Sequence, residues 1–380
     1  MSLPGTITVA DASRGPWDAV VVGAGPAGSV AARELARSGL KVLLVDKAQF
    51  PRRKVCGCCL NAAALASLER LGLGTVVRDA VPLTGVRLAT AGRFAYVRLP
   101  GGVALSRDGF DAALIHEAIA AGAAFLPGIS AKLGPCEGEF RTVRLGEVAV
   151  RTRVAVAADG LAGGFTATDG NAPVVRDAAR IGAGTVADHA PSFYAPGTVY
   201  MAVARGGYVG LVRLEDGRLD VAAAFDPVTI REHGGLGPAA IRVLKISGFP
   251  AIAGMEALPW KGTPALTRHA ARVAGDRWFA VGDAAGYVEP FTGEGMAWAV
   301  AGAAALAPIA ARAIDGNPRS AADWTAAHAR AVRRRQGVCR AAAWVLRSPA
   351  LCRFSVTALS LAPRLAGPVV GRLNRPRPAP

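Results

Sequence analysis

The chain of 380 residues is 52% hydrophobic but only 6% aromatic, and it carries a formal net charge of +16 at pH 7. Such a length buries a sizeable core in two or three domains, and so apolar a composition excludes a disordered chain. The basic excess fits either an anionic partner (nucleic acid, an acidic membrane surface or a phosphate-bearing cofactor) or self-solvation by arginine. No nucleic-acid recognition motif accompanies it, so no nucleic-acid partner is expected.

The opening residues, MSLPGTITVADASRGPWD, lack the basic start and sustained apolar run of a signal peptide. Cys136, Cys339 and Cys352 add no disulfide framework to the cysteines near residue 56. A cytoplasmic location is the expectation. Next, WDAVVVGAGPAGSVAARELARSGLKVLLVDK (17–47) reads as strand, glycine turn, helix, strand, with Gly39 as the helix stop. Its turn is a full G-x-G-x-x-G, running Gly23, Ala24, Gly25, Pro26, Ala27, Gly28. Gly23 permits the sharp turn, Gly25 admits a pyrophosphate to the backbone, and Gly28 lets helix and strand pack closely. Asp46, followed by Lys47, ends the second strand where an acid receives ribose hydroxyls. With every part in register, the unit is an adenine-dinucleotide site.

The excursion after this strand contains KVCGCCLNAAAL (54–65), which puts Cys56, Cys58 and Cys59 within four positions. A structural zinc site wants four ligands, and no second Cys or His cluster is visible, so no metal is expected. Cys56-x-x-Cys59 has dithiol spacing without a thioredoxin-like pattern around it. Arg52, Arg53 and Lys54 could lower a thiol pKa and make Cys56 a proton donor or thiolate contact. The other reading is that these are compact residues where the chain passes close to a ligand.

LSRDGFDAALIHEAIAAGA (105–123) reads as a helix bearing Arg107. RVAVAADGLAGGF (153–165) is a strand running into Asp159 and Gly160. GTVYMAVARGGYVGLVRLEDGRLDVAAAF (197–225) alternates around glycine turns as an antiparallel sheet does. Residues 276–307 form a strand ending at Gly282 and Asp283, a loop with Pro290, Gly293 and Glu294, and a small-residue helix starting near Gly295 and Met296. Pro308 interrupts the uncharged run there, which reads as a buried helix instead of a membrane span. From Arg333 on, apolar segments spaced by arginines and broken at Pro349, Pro363 and Pro368 suit short basic amphipathic helices. They can lie on an acidic membrane, roof an apolar tunnel, or pack on the protein's own flank.

The 17–47 unit, the Asp159-Gly160 stretch and the Asp283 stretch together resemble the FAD-dependent oxidoreductases built like p-hydroxybenzoate hydroxylase, which include aromatic hydroxylases, geranylgeranyl reductases and flavin-dependent halogenases. The resemblance spans about residues 17–310. It implies an α/β fold in which a Rossmann-type FAD-binding domain (10–83, 100–165 and 268–312) is interleaved with an antiparallel-sheet substrate domain (84–99 and 166–267), followed by a helical C-terminal region (313–380). It implies that Gly23, Gly25, Pro26, Ala27, Gly28, Asp46 and Lys47 hold the ADP half of FAD. Arg107 and Asp159 would contact the cofactor, Asp283 its ribityl chain, and the amides of Gly295 and Met296 the flavin ring. The family's serine and arginine after the Asp-Gly pair are absent from DGLAGGF, which weakens the case for Asp159. Many members carry Cys-Gly at Cys56, and in the geranylgeranyl reductases that cysteine is thought to be catalytic.

Three readings of the chemistry follow. In the first, reduced flavin and oxygen hydroxylate or epoxidise a small lipophilic or aromatic substrate. In the second, favoured by Cys56-Gly57 and the tail, the enzyme reduces a double bond of a prenyl or lipid chain. The third is a non-catalytic flavin-binding protein. The first is the leading expectation. The halogenases' lysine and tryptophan signatures are missing, which disfavours halogenation. With no second G-x-G-x-x-G, NADPH or NADH would visit transiently as reductant. The five histidines (His116, His189, His233, His269, His328) form no sequence cluster. Peripheral membrane contact through the basic C-terminal region remains open.

Overall fold

A computed structural model describes residues 3–289, 291, 293–333 and 336–375. Pro290, named above in the glycine-rich loop, lies outside the described residues. Trp17–Val22 is the centre of the first sheet, flanked in parallel by Val42–Asp46 and by Val148–Ala157. Ala124–Pro127 extends the parallel array on one side and Trp278–Ala280 on the other. In chain order the five parallel strands run 3-2-1-4-5, so the order reverses beside the first strand, where doubly wound sheets bind ligands at the strands' carboxyl ends.

Successive side chains of a strand point to opposite faces, and both faces here are apolar. Val21, Leu44 and Val156 meet the helices Pro26–Arg37, Arg107–Ala120 and Gly295–Ile314 through Val30, Leu114 and Val300. Val20, Leu43 and Ala155 pack on the other side against Leu133, Val143 and Trp278. Gly295–Ile314, the one described helix long and apolar enough to cross a membrane, is two-thirds buried in this core.

The second sheet has seven strands, in the order Lys261–Ala265, Ile181–Ala187, Leu219–Phe225, Gly207–Arg213, Thr198–Ala204, Gly85–Thr90, Arg93–Arg98. It departs from the antiparallel expectation at one pair, since Thr198–Ala204 runs parallel to Gly85–Thr90. The reason is topological: the hairpin 85–98 is delivered from the first sheet's side of the chain, not by a neighbouring turn. The helix Leu236–Ser247 covers one face through Val243 and Leu244. The opposite face presents Met201, Val203 and Tyr208 towards Leu161 and towards Leu346 and Cys352 of the tail.

The tail forms the helices Gln336–Arg347, Pro349–Leu361 and Gly367–Asn374. Polar contacts at several points dock them. Arg93 Nη1 donates to Thr357 Oγ1 at 2.8 Å. Asn374 Oδ1 accepts from the Ala62 amide at 3.1 Å. Arg347 donates to the Ala178 carbonyl at 2.9 Å and stands 3.7 Å from Glu289. Glu289 itself pairs with Arg180 at 2.9 Å, each side chain 1% exposed.

Removing one member of a buried ion pair strands the other charge. Glu289→Ala is expected to lower stability by about 3 kcal/mol, read as a fall in the urea midpoint. Arg347→Ala, whose partly exposed guanidinium is screened by water, should cost less than about 1 kcal/mol. Equal losses in the two variants would contradict this burial argument.

Candidate active site

The glycine turn is built by close approach. Gly23 has φ +106, and an added Cβ there would collide with the Ala158 carbonyl; one at Gly28 would collide with the Gly23 carbonyl. Gly25 is different, because an added Cβ would meet no backbone and only touch two guanidiniums, 3.7 Å from an Arg107 nitrogen and 3.8 Å from one of Arg52. Pro26 opens the Pro26–Arg37 helix, whose N-terminal amides face the same space. At the end of its strand, Asp46 accepts from the amides of Ala24 and Ala48, both at 2.8 Å.

Arg107 is held from behind. Asp111, fully buried one helical turn on, takes both its Nε and Nη2 at 2.8 Å. Gly282 approaches the phosphate turn so closely that an added Cβ would lie 2.8 Å from Ala27 Cβ. That approach sets Asp283 beside Lys54. Burial raises the Asp283 carboxyl above the usual carboxylate range, opposed by Lys54 and Arg107. Burial lowers the Lys54 ammonium, with Arg107 adding to the effect. Gly295 and Met296 begin the Gly295–Ile314 helix. The preceding loop touches the cysteine loop, where Asn61 Nδ2 donates to Glu294 Oε1 and Glu294 Oε2 accepts from Trp298 Nε1 at 3.0 Å.

All six cysteines are free thiols. The Cys56-x-x-Cys59 spacing noted in the sequence forms no disulfide, since both cysteines are free. Cys58, held at φ 51, hydrogen-bonds Cys56. That bond, reinforced by the Arg107 charge, brings the Cys56 thiol down to about 5 despite its burial. Burial pushes Cys58 and Cys59 the other way. These shifts favour the thiolate form at Cys56 and the thiol form at Cys58 and Cys59.

The expected site residues line one cavity of about 1230 Å³, with Gly28 packed behind the turn as the exception. The cavity continues from the glycine turn, past Cys56 and Arg107, to the apolar face of the second sheet, where Val86, Leu88, Val199, Met201 and Val212 line it. Leu346, Val356, Val370 and Leu373 of the tail helices close it from above, so the tail is a roof. Asp159 lines the cavity too, but its Oδ2 is spent on the amides of Gly164 and Phe165 at 2.8 and 2.9 Å. It shapes its own loop.

A family model described as FAD binding domain matches residues 17–168. That part of the chain, two-fifths of its length, is thus similar to FAD-binding domains. Among curated proteins, a menaquinone reductase of Mycobacterium tuberculosis is 49% identical over 84 residues, 22% of this chain and 21% of that protein. The match therefore spans only about a fifth of that relative's length. A digeranylgeranylglycerophospholipid reductase of Methanopyrus kandleri is 28% identical over 324 residues, covering 80% of this chain and 79% of that one. Among solved structures, p-nitrophenol 4-monooxygenase PnpA of Pseudomonas putida superposes with a TM-score of 0.77 at 16% identity, covering 96% of this chain and 100% of that one. At that identity the likeness is one of fold.

The residues present fit an FAD. Gly25 leaves room for a pyrophosphate between two guanidiniums, and Arg52 Nε is buried without a hydrogen-bond partner, as an anion-binding group would be before its ligand arrives. Gly23, Gly25, Pro26, Ala27 and Arg52 would hold the flavoprotein's pyrophosphate, and Asp46 and Lys47 the adenosine end. Asp283, Gly295 and Met296 would stand near the flavin. Sequence reasoning used Arg52 only as a neighbour of the cysteines, and it overlooked Asp220. That acid is the one charged residue in LDVAAAF (219–225), a signal visible in the alternation itself.

Gly25→Val should leave the fold intact and reduce FAD retention by roughly tenfold or more, because its side chain takes the pyrophosphate's place. Gly28→Val should instead cost about 3 kcal/mol or prevent folding, because it meets backbone. Cofactor content and melting temperature of the two purified variants separate these outcomes. Full FAD retention in Gly25→Val would contradict the assignment.

Proposed function

We propose that this flavoprotein reduces a double bond in an apolar, prenyl-type chain, which places the second of the sequence readings first. The observation that carries the proposal is the position of Cys56. It stands where the cofactor groove opens into an apolar chamber, with the Arg107 charge and the Cys58 thiol beside it. The curated relatives named above are both reductases, and the M. kandleri match runs along most of the chain.

Bound FAD would supply the hydride. The protein's part is to bind, orient and protonate. Residues 84–99 and 166–267 form the substrate side, whose valines and leucines exclude water from an extended hydrocarbon. Arg107 and the Cys58 thiol stabilise negative charge on Cys56 Sγ, which makes the Cys56 thiol a strong acid towards a substrate carbon gaining charge. NADPH or NADH is the proposed transient reductant. The outward side of the roof exposes Trp344 and Leu361 among Arg353, Arg364 and Arg372. A water-insoluble substrate and this basic, apolar surface together support peripheral contact with an anionic membrane from the cytoplasmic side. Oxygenation of a lipophilic or aromatic substrate is the second reading, favoured by the fold shared with the nitrophenol monooxygenase.

The test is anaerobic turnover of chemically reduced, FAD-loaded protein with geranylgeranyl diphosphate, followed by mass spectrometry. The reductase reading predicts a product with two added hydrogens formed without oxygen, and a Cys56→Ser rate lower by about 10² or more at equal FAD content. A product that forms only with oxygen and carries an added oxygen atom would replace this reading with the second.

A further inference from the structure

The cavity has two ends of opposite character. Lys47, Ser130 and Lys132 line the cofactor end. The other end lies under the tail, and there some lining side chains also meet solvent. Residues four apart in a helix share a face, one turn above the other. Leu365, Val369 and Leu373 keep that spacing through the turn Pro363–Ala366 and the helix Gly367–Asn374, and all three line the cavity. Exposure rises along them from 9% at Leu373 to 49% at Val369 and 61% at Leu365. They form an apolar stripe that climbs from the chamber to the surface. Phe354, on the neighbouring helix Pro349–Leu361, lines the cavity as well and is 73% exposed. A side chain that both lines a cavity and meets solvent stands at its mouth, so the chamber opens between these two tail segments.

The surface around the mouth says what covers it. Arg353, Arg364 and Arg372 are exposed there, and no acidic residue follows Asp323 in the chain. Trp344 and Leu361 add exposed apolar surface. Apolar side chains ringed by arginines, with a tryptophan among them, are complementary to the acyl boundary and anionic headgroups of a bilayer leaflet. A second copy of this chain would bring the same arginines and be repelled.

We propose that the roof is a portal: it seats on an anionic bilayer with the mouth at Phe354, Leu365 and Val369 open to the acyl layer, and the hydrocarbon chain of a lipid enters the chamber without crossing water. This deepens the reductase reading and rests on it. The substrate class becomes a membrane lipid, whose unsaturated chain reaches Cys56 while its anionic head stays outside with the arginines. Leu346, Val356, Val370 and Met201 line the way inward, and such aliphatic walls favour a hydrocarbon over a charged head.

The experiment is co-sedimentation of the FAD-loaded full chain with vesicles, without substrate. Vesicles of phosphatidylcholine and phosphatidylglycerol in equal parts should bind the wild type about tenfold or more tightly than vesicles of phosphatidylcholine alone. Leu365→Asp combined with Val369→Asp should weaken binding to the mixed vesicles by about tenfold or more. Arg364→Glu combined with Arg372→Glu, at exposed arginines, is an independent variant with the same expected loss. Ile246→Asp, at an exposed apolar residue of the Leu236–Ser247 helix on the far face of the second sheet, should bind as the wild type does. Melting temperatures establish that each variant is folded. Unchanged binding in either double variant, an equal loss in Ile246→Asp, or a wild type that pairs with itself and ignores vesicles overturns the proposal. Because no turnover is involved, a failure here is separate from a failure of the reductase reading, which the anaerobic product decides.

Discussion

The site depends on how Arg107 is held. Its guanidinium is tied twice, at 2.8 Å, to an Asp111 that is fully buried in the same helix. A planar guanidinium gripped on two edges by one carboxylate has little freedom. From that fixed position it reaches both the open side of Gly25 and the Cys56 thiol. One side chain thereby joins the phosphate cradle to the cysteine loop. The charge that would greet a pyrophosphate also adds to the Cys58 effect in lowering the Cys56 thiol, so cofactor binding and thiol acidity are linked.

Much of the fold was legible because its signals are local. G-x-G-x-x-G between two apolar strands, with Asp46 in register, specifies a turn that almost no other residues could make, and Gly23 and Gly28 meet backbone as that reasoning requires. The helix carrying Arg107 and the strand leading to Asp283 were likewise readable from periodicity. What escaped was set by tertiary contact. The thiol that lowers the Cys56 pKa is that of Cys58, not Cys59, and Cys58 sits at a left-handed backbone position that the sequence does not announce. Asp159, placed with the cofactor by resemblance, lines the cavity and also braces its own loop, which no local pattern announced. Asp220 and Cys58 lie more than 150 residues apart in the chain, and only strand register joins them. The parallel pair in the second sheet was invisible for the same reason.

Electrostatics divides the cavity into two halves. Around the glycine turn, Arg52, Arg107 and Lys54 face carboxyls at Asp46, Asp111 and Asp283, and an anionic cofactor suits that ground. Beyond Cys56 the walls are aliphatic, and Asp220 is the acid set among them. The basic surplus of the sequence thus has two separate addresses, the cofactor groove and the outer side of the roof. Between those arginines the tail turns Leu346 and Val356 inward, which gives one segment an apolar inner wall and a basic outer surface.

The central proposal is that Cys56 works beside the bound flavin as an acidic thiol. The most direct measurement is the visible spectrum of the FAD-loaded protein as pH is raised. A thiolate touching oxidised flavin donates charge to it and adds a long-wavelength absorption band. The account predicts that this band grows in with a midpoint near 5, following the Cys56 ionisation, and is missing from Cys56→Ser at equal FAD content. A wild-type spectrum that shows no such band across the titration, or a band that survives in Cys56→Ser, would contradict it.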